Sequence, residues 1–447
     1  MKRRLIYGFV TVALLVNLGL GARLYFATAN AAEKDSAYAN MELFSFVMEK
    51  VRKDYVDGKD LTYRELVFHA LDGMVGKLDP HSEFLDPEKY KELQDDTQGQ
   101  FGGLGIIVQL RDGFITVITP IEDTPGFRAG ILAGDRILKV DGKATEKKEL
   151  GDVVKTMRGE PGTEVTVTIF RPSNGETKEL TLKRAVINVD MVKDVNGKKD
   201  FTVDENKIGY ARIVQFGERT GTELESALKK MKAQNLQGFV LDLRWNPGGL
   251  LDQAVEVCEK FLPRGQLVVS TEGRDAAQKS VHKAAGRGDA LKGVPMVVLI
   301  NIDSASASEI VAGCLQDLNR AVVIGEKSFG KGSVQSIFPL DGGAALRLTT
   351  AKYYTPSHKV IHGEGITPNI VVAMSREEEN DILAKRAPGG IESLEGADRE
   401  RVANARDPQL ERALDVLKGI NLFTQRLPAT RLVSRGKWEP SEAALNR

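Results

Sequence analysis

Between residues 208 and 354 the chain alternates short apolar strands with amphipathic helices. Residues 208–216 read as a strand, 222–232 as a helix, 239–244 as an apolar strand and 250–261 as a helix. A strand at 294–301 and a helix at 306–318 follow, with further strands at 321–325 and within 334–354. Strands that alternate with helices predict a layered α/β core, placed here at 186–375.

Upstream the period changes twice. Residues 36–95 read as helical, with Leu43, Phe44, Val47 and Val51 at helical spacing. Thr62 and Glu65 form a capping box ahead of Leu66, Ala70, Leu71 and Met74. Asp79-Pro80 and Asp86-Pro87 break the pattern. From Gln98 short strands and glycine turns take over: 101–108, 114–118 and the period-two run 163–169, with a short helix at 150–154. This compact module spans 96–185. Residues 376–447 form a charged helical segment and tail, with Gln409, Leu410, Ala413, Leu414 and Leu417 on one face.

Lys2, Arg3 and Arg4 precede an apolar run over 5–22, and Ala27-Thr28-Ala29 and Ala29-Asn30-Ala31 follow. That is the pattern of an export signal. The run is also long enough for a marginal span, and Arg23 weakens the cleavage site. Residues 1–32 are therefore a signal peptide or a membrane anchor, and either places the bulk of the chain outside the cytoplasm. The 62 basic and 62 acidic residues balance, which argues against a nucleic-acid binder. Two cysteines, Cys258 and Cys314, rule out a disulfide framework and a four-cysteine zinc site. None of His69, His81, His282, His358 and His362 lies in a metal-binding pattern, so no metal or cofactor is expected.

Three segments have the residues for chemistry. In Ser304-Ala305-Ser306-Ala307-Ser308-Glu309 a strand ends and a helix begins. Ser306 with Glu309 is a capping box in its own right, but a hydroxyl at a helix start also sits where backbone N–H groups favour developing negative charge. Gly325 to Gln335 resembles a phosphate loop, yet Gly332 stands where the pattern needs Ser or Thr, and a strand follows instead of a helix. What remains is a turn with solvated lysines, or Lys331 turned into a site. In Asn246-Pro247-Gly248-Gly249 a strand-to-helix turn offers backbone N–H donors that a reacting oxygen can approach.

In this order, behind a glycine-rich strand module, the three segments resemble the carboxy-terminal processing proteases, exported serine peptidases with a PDZ domain. Ser304 to Ile310 and Phe329-Gly330-Lys331-Gly332-Ser333-Val334-Gln335 match most specifically, and Leu241 to Gly249 is a third match. The resemblance implies a crotonase- or Clp-like layered β/α core with an inserted PDZ domain and helical ends. It implies Ser306 as nucleophile, Lys331 as general base and Gln335 as the group orienting the amine. The oxyanion would be held by the N–H of Ala307 and that of Gly248 or Gly249. Gly103, Leu104, Gly105 and Ile106 resemble the PDZ loop that binds a peptide's terminal carboxylate, with the peptide added as a strand beside Ile106, Ile107 and Val108. After Pro125-Gly126, Phe127 and Arg128 replace the small residues common in the family, which puts the shape of that pocket in doubt. Arg158, a single cation in a Gly/Pro turn, is a candidate for coupling tail binding to the protease core, or else a solvated surface residue.

The resemblance implies protein or peptide substrates with free C-termini, an adaptor protein, pairing of chains into a dimer or larger assembly through the helical ends, and a bacterial periplasmic location. Two other readings remain. One is a partner-activated or non-catalytic PDZ adaptor. The other is an acyl-thioester enzyme on the same core, which the Ser-Lys pairing and the PDZ module disfavour.

Overall fold

The computed structural model describes residues 36–58, 61–111, 113–121, 123–275, 279–286, 291–386, 391, 394 and 396–426. The export or anchor segment and the tail beyond 426 lie outside the described residues. Among the described residues no helix is long and apolar enough to cross a membrane.

The α/β alternation builds a six-stranded sheet. Val192–Lys193, Ile208–Ile213, Gly238–Asp242, Met296–Ile300, Val322–Gly325 and Ile370–Val371 lie side by side in that order. All pairings are parallel except the first. Parallel neighbours need long crossovers, and the helices Thr220–Lys232, Leu251–Glu259 and Ala307–Asp317 lie in them. Every residue of Gly238–Asp242 and Met296–Ile300 is buried, because both faces of the sheet are covered. On one face Leu224, Leu228, Val257, Ile310 and Val311 share a core with Phe239, Leu241, Val298 and Ile300. On the other, Ala413 and Leu417 of the helix Pro408–Arg426 join Val240, Val297, Leu299 and Ile324. The apolar face read at 409–417 is thus a core face.

A second, five-stranded antiparallel sheet was only partly legible. Ser333–Pro339 and Ala345–Tyr354 fall within the expected stretch, but Leu267–Gly273 and Ser280–Lys283 are additional. The segment read as helical over 36–95 is interrupted by the strand Glu83–Leu85, which pairs with Ala345–Tyr354. Three residues between two prolines are too few to establish a period, so this strand is fixed by its partner. Arg347 Nη2 also meets Glu83 Oε2 at 2.6 Å.

The glycine-rich module is an antiparallel sheet in the order Ile106–Arg111, Phe114–Pro120, Arg136–Val140, Glu164–Arg171, Glu176–Lys183, with Lys143–Ala144 paired to Arg136–Val140. Val165, Val167 and Ile169 point inward at period two. The helix Leu150–Met157 adds Val153 and Met157, one turn apart, to the same core. The strands entering and leaving the module, Gln100–Gly103 and Ala185–Asn188, pair antiparallel.

Candidate active site

Ser306 lies just beyond the carboxyl end of Met296–Ile300 and immediately before the helix Ala307–Asp317. Its φ of 54° and ψ of −113° are costly for a residue with a Cβ. Two contacts hold the turn: Ser306 N–H donates to Glu309 Oε2 at 2.8 Å, and Glu309 N–H donates to the Ser306 carbonyl at 2.9 Å. The neighbouring serines serve the backbone. Ser304 Oγ donates to the Leu243 carbonyl at 2.9 Å, and Ser308 Oγ to the Asn246 carbonyl at 3.0 Å. Those two bonds stitch the serine segment to Leu243 and Asn246, at the end of the strand that leads into the Gly248-Gly249 turn.

Glu309 is fully buried and gathers two of the three segments. Its carboxylate accepts from Ser306 N–H, from Lys331 N–H at 2.9 Å, from Gly330 N–H at 2.7 Å and from Ser328 Oγ at 2.6 Å. Burial raises its pKa, and these four donors only partly offset the rise. The expected capping residue is therefore also the link between the serine turn and the lysine loop. Phe329 N–H adds a bond to the Ser304 carbonyl at 3.0 Å.

Lys331 is half-buried, and its amine is held below the ordinary lysine pKa by burial first and by the Arg347 charge second, with Glu309 opposing. That is the shift a lysine base needs, since an exposed amine is almost wholly protonated at neutral pH. Gln335 lies on the following strand, and its Nε2 donates to Ser333 Oγ at 3.1 Å and to Thr349 Oγ1 at 3.0 Å. Thr349 Oγ1 in turn donates to Asp79 Oδ1 at 3.1 Å. Among the described residues no hydrogen bond joins Gln335 to the Lys331 amine.

Tyr353 carries no motif and was missed in the sequence. Burial pushes its hydroxyl up to about 12, and a hydrogen bond with Ser306 works against that rise. Its N–H donates to the Gly332 carbonyl at 2.8 Å, so the same residue touches the serine and pins the lysine loop.

The third segment is tied in by Asn246 and Asn301. Ala305 N–H donates to the Asn246 carbonyl at 3.0 Å, Asn246 Nδ2 to the Ile213 carbonyl at 2.8 Å, and Trp245 N–H to Asn301 Oδ1 at 2.9 Å. Gly248 sits at φ 102°, where a Cβ would come within 2.7 Å of Ser306 Cβ and 3.0 Å of Ala307 N. Glycine there leaves the space beside Ala307 N–H open. Gly248 N–H donates to Asn246 Oδ1 at 2.8 Å, and Gly249 N–H has no partner among the described residues.

The loop Gly103 to Ile106 borders a groove of about 210 Å³ lined by Leu104, Ile106, Val108, Val154, Met157 and Arg158. Gly105 adopts φ 69°, and a Cβ there would strike Thr124 at 2.2 Å. The Gly105 carbonyl accepts from Ile121 N–H at 2.7 Å and Thr124 Oγ1 at 3.0 Å. Leu104 and Gly105 N–H have no partner among the described residues. Arg158 is partly exposed, and its guanidinium lies 4.3 Å from the Phe101 ring centroid and 3.9 Å from Asp96 Oδ1.

Residues 207–372 match the model of Peptidase family S41, and 102–183 match that of the PDZ domain. The carboxy-terminal-processing protease of Bartonella bacilliformis is 46% identical over 351 residues, which cover 77% of this chain and 78% of that protein. A probable CtpA-like serine protease of Staphylococcus aureus is 37% identical over 347 residues, covering 77% of this chain and 67% of the other. Among solved structures, the photosystem II D1 C-terminal processing protease is 28% identical, with a TM-score of 0.43 over 74% of this chain and 92% of that one. The chain is a PDZ-containing serine peptidase that belongs to Peptidase family S41, among the carboxy-terminal-processing proteases.

Proposed function

We propose that the protein is an exported endopeptidase that selects substrates by their C-terminal tails and cuts them with a Ser306–Lys331 dyad. The observation that carries this reading is Glu309, whose buried carboxylate holds the backbones of Ser306 and Lys331 together. The unprotonated Lys331 amine takes the Ser306 proton, and Oγ attacks the peptide carbonyl. Ala307 N–H and an N–H of the Gly248-Gly249 turn hold the oxyanion. Lys331 then protonates the leaving amine and activates the water that opens the acyl-enzyme. Gln335, on the strand that follows the lysine loop, orients Lys331, and its amide is positioned by Ser333 and Thr349.

Tail selection rests on the Leu104 and Gly105 N–H groups and the apolar groove beside them. Arg158 couples that groove to the helix Pro87–Gln98 through Phe101 and Asp96. The exposed Met41, Leu43 and Phe46 of the helix Ala37–Asp54, which buries no residue of its own, support pairing with a second copy. The N-terminal charge and apolar pattern supports export to the periplasm.

Ser306→Ala and Lys331→Ala are each expected to lower turnover of a peptide with a free C-terminus by about 10⁴-fold or more, with unchanged circular dichroism. Parent-like cleavage by either variant refutes the dyad. Amidating the peptide's C-terminus tests tail selection separately, and equal cleavage of both forms counts against it. Arg158→Ala with unchanged cleavage removes the coupling role.

A further inference from the structure

One edge of the central sheet holds two cations that have no ion pair among the described residues. Lys193 and Arg212 are directly opposite each other on antiparallel strands, an arrangement that like charges make unfavourable. Among the described residues neither has an ion pair or a side-chain hydrogen bond to the protein, and Arg212 Nε is buried without a partner. The Arg212 guanidinium lies 5.2 Å from the centroid of the Trp245 ring.

Each nearby carboxylate is engaged elsewhere. Asp190 pairs with Lys199 at 2.5 Å. Asp194 accepts from the N–H groups of Asn196, Lys198 and Asp200 in its own turn. Glu223 accepts from Met191 and Val192 N–H. Asp242 is taken by Arg244, Arg386 and Tyr210. Burial, with Asp190 opposing and the Arg212 charge adding, holds the Lys193 amine below its ordinary pKa, as expected of a cation lacking a partner.

Lys193, Arg212 and Arg386 line one cavity of about 140 Å³, closed on other sides by Gly197, Val214, Leu383 and Asp194, whose carboxylate is taken up by the N–H groups of its own turn. That is well under the roughly 300–1,000 Å³ of sites for larger organic ligands. A guanidinium offers paired N–H donors to an oxyanion, and an ammonium adds a point charge beside them. We propose that this cavity is a binding site for a compact oxyanion of the size of phosphate, held by Arg212 and Lys193. The site is separate from the tail-binding groove and from the Ser306 turn. It borders the catalytic side of the molecule through Trp245, three residues before the Gly248 that abuts Ser306.

Trp245 and Trp438 are the two tryptophans, so Trp438→Phe in the full chain makes Trp245 emission a local reporter. Inorganic phosphate is titrated at constant ionic strength, with sulfate and chloride as parallel arms. The expected result is a saturable change in Trp245 emission and a rise in the thermal midpoint with phosphate and sulfate, absent with chloride. Arg212→Gln abolishes both responses. Lys193→Gln, on a two-residue edge strand where the fold tolerates change, weakens the apparent affinity by about tenfold. If Arg212→Gln fails to fold by circular dichroism, Lys193→Gln alone decides. No saturable response, an equal response to chloride, or a Lys193→Gln titration identical to the parent overturns the proposal.

Discussion

The two modules bury charge on different scales. In the PDZ domain Asp135 is buried and accepts from Arg171 Nε at 2.8 Å, Arg171 Nη2 at 2.7 Å and Leu132 N–H at 2.9 Å. Arg171 also donates to the Gly130 carbonyl at 2.8 Å, so this pair fixes one turn against one strand. In the peptidase core Arg244 is wholly buried between Asp242 at 2.6 Å and Asp407 at 2.8 Å, and Arg386 meets the same two carboxylates at 3.3 and 2.9 Å. Gln409 Oε1 accepts a further bond from Arg244 at 3.0 Å. One cluster is local. The other closes the chain on itself, bringing residues from beyond 380 to the end of a central strand. Loss of the first loosens a turn, whereas loss of the second detaches the helix that covers one face of the sheet.

The sharpest test of that difference is Arg244→Met, which leaves the buried Asp242 and Asp407 to share Arg386 alone. It is expected to cost about 3–5 kcal/mol, read as a lower urea midpoint of Trp245 emission. Arg171→Met is expected to cost about 1–3 kcal/mol, visible in far-UV dichroism and leaving the Trp245 transition in place. Equal costs, or a common shift of both signals, would erase the distinction between a local and a closing cluster.

Glu309 provides a third kind of buried carboxylate, one held by four neutral donors. Glu309→Gln replaces one acceptor oxygen with an NH₂ facing N–H and O–H groups, at about 2 kcal/mol. The expected outcome is a fall of about 30-fold in kcat/KM with KM little changed, because the change lies behind the proposed Ser306–Lys331 dyad. A loss confined to KM would place Glu309 in substrate binding instead.

The carboxylates also predict opposite pH slopes. Burial disfavours the charged form of Asp242, but Arg244 and Arg386 outweigh it and hold the pKa far below the ordinary 3.8. Its stabilisation is complete above the unfolded value and is lost as pH falls through the folded one. Glu309 is raised above 4.5 by burial, so its effect is most favourable below the unfolded value and declines as pH rises through the folded one. Urea titrations of the parent and Glu309→Gln between pH 4 and 7 should therefore converge as pH rises, because the parent loses more. Activity has its own limb: kcat/KM should climb with pH through a pKa below the ordinary 10.5 of lysine, set by burial of Lys331 and the Arg347 charge. The smallest expected effect is at Lys155–Glu88, an exposed pair at 3.0 Å, where Lys155→Ala should shift stability by under about 1 kcal/mol.

Regular period made the central sheet and its helices legible, because a strand covered on both faces and a helix covered on one must be apolar at set positions. The same logic exposed the Val165, Val167 and Ile169 face of the PDZ strand. The serine, lysine and glycine segments were legible as motifs. What was not legible is polar and distant: the Tyr353 contact with Ser306, the chain from Asp79 through Thr349 to Gln335, and the meeting of Arg244 with Asp407. Each joins residues tens to hundreds of positions apart, and no local pattern encodes such a meeting. Glu309 was visible only as a cap, since its other donors come from residues 328–331.

The strands Gln100–Gly103 and Ala185–Asn188 leave and re-enter the peptidase side by side. A module hung on such a four-residue zipper can be exchanged without rerouting the chain on either side. The architecture is a socket: another small domain whose termini lie one strand spacing apart could be spliced between Gly103 and Ala185, giving the same cutting centre a different address.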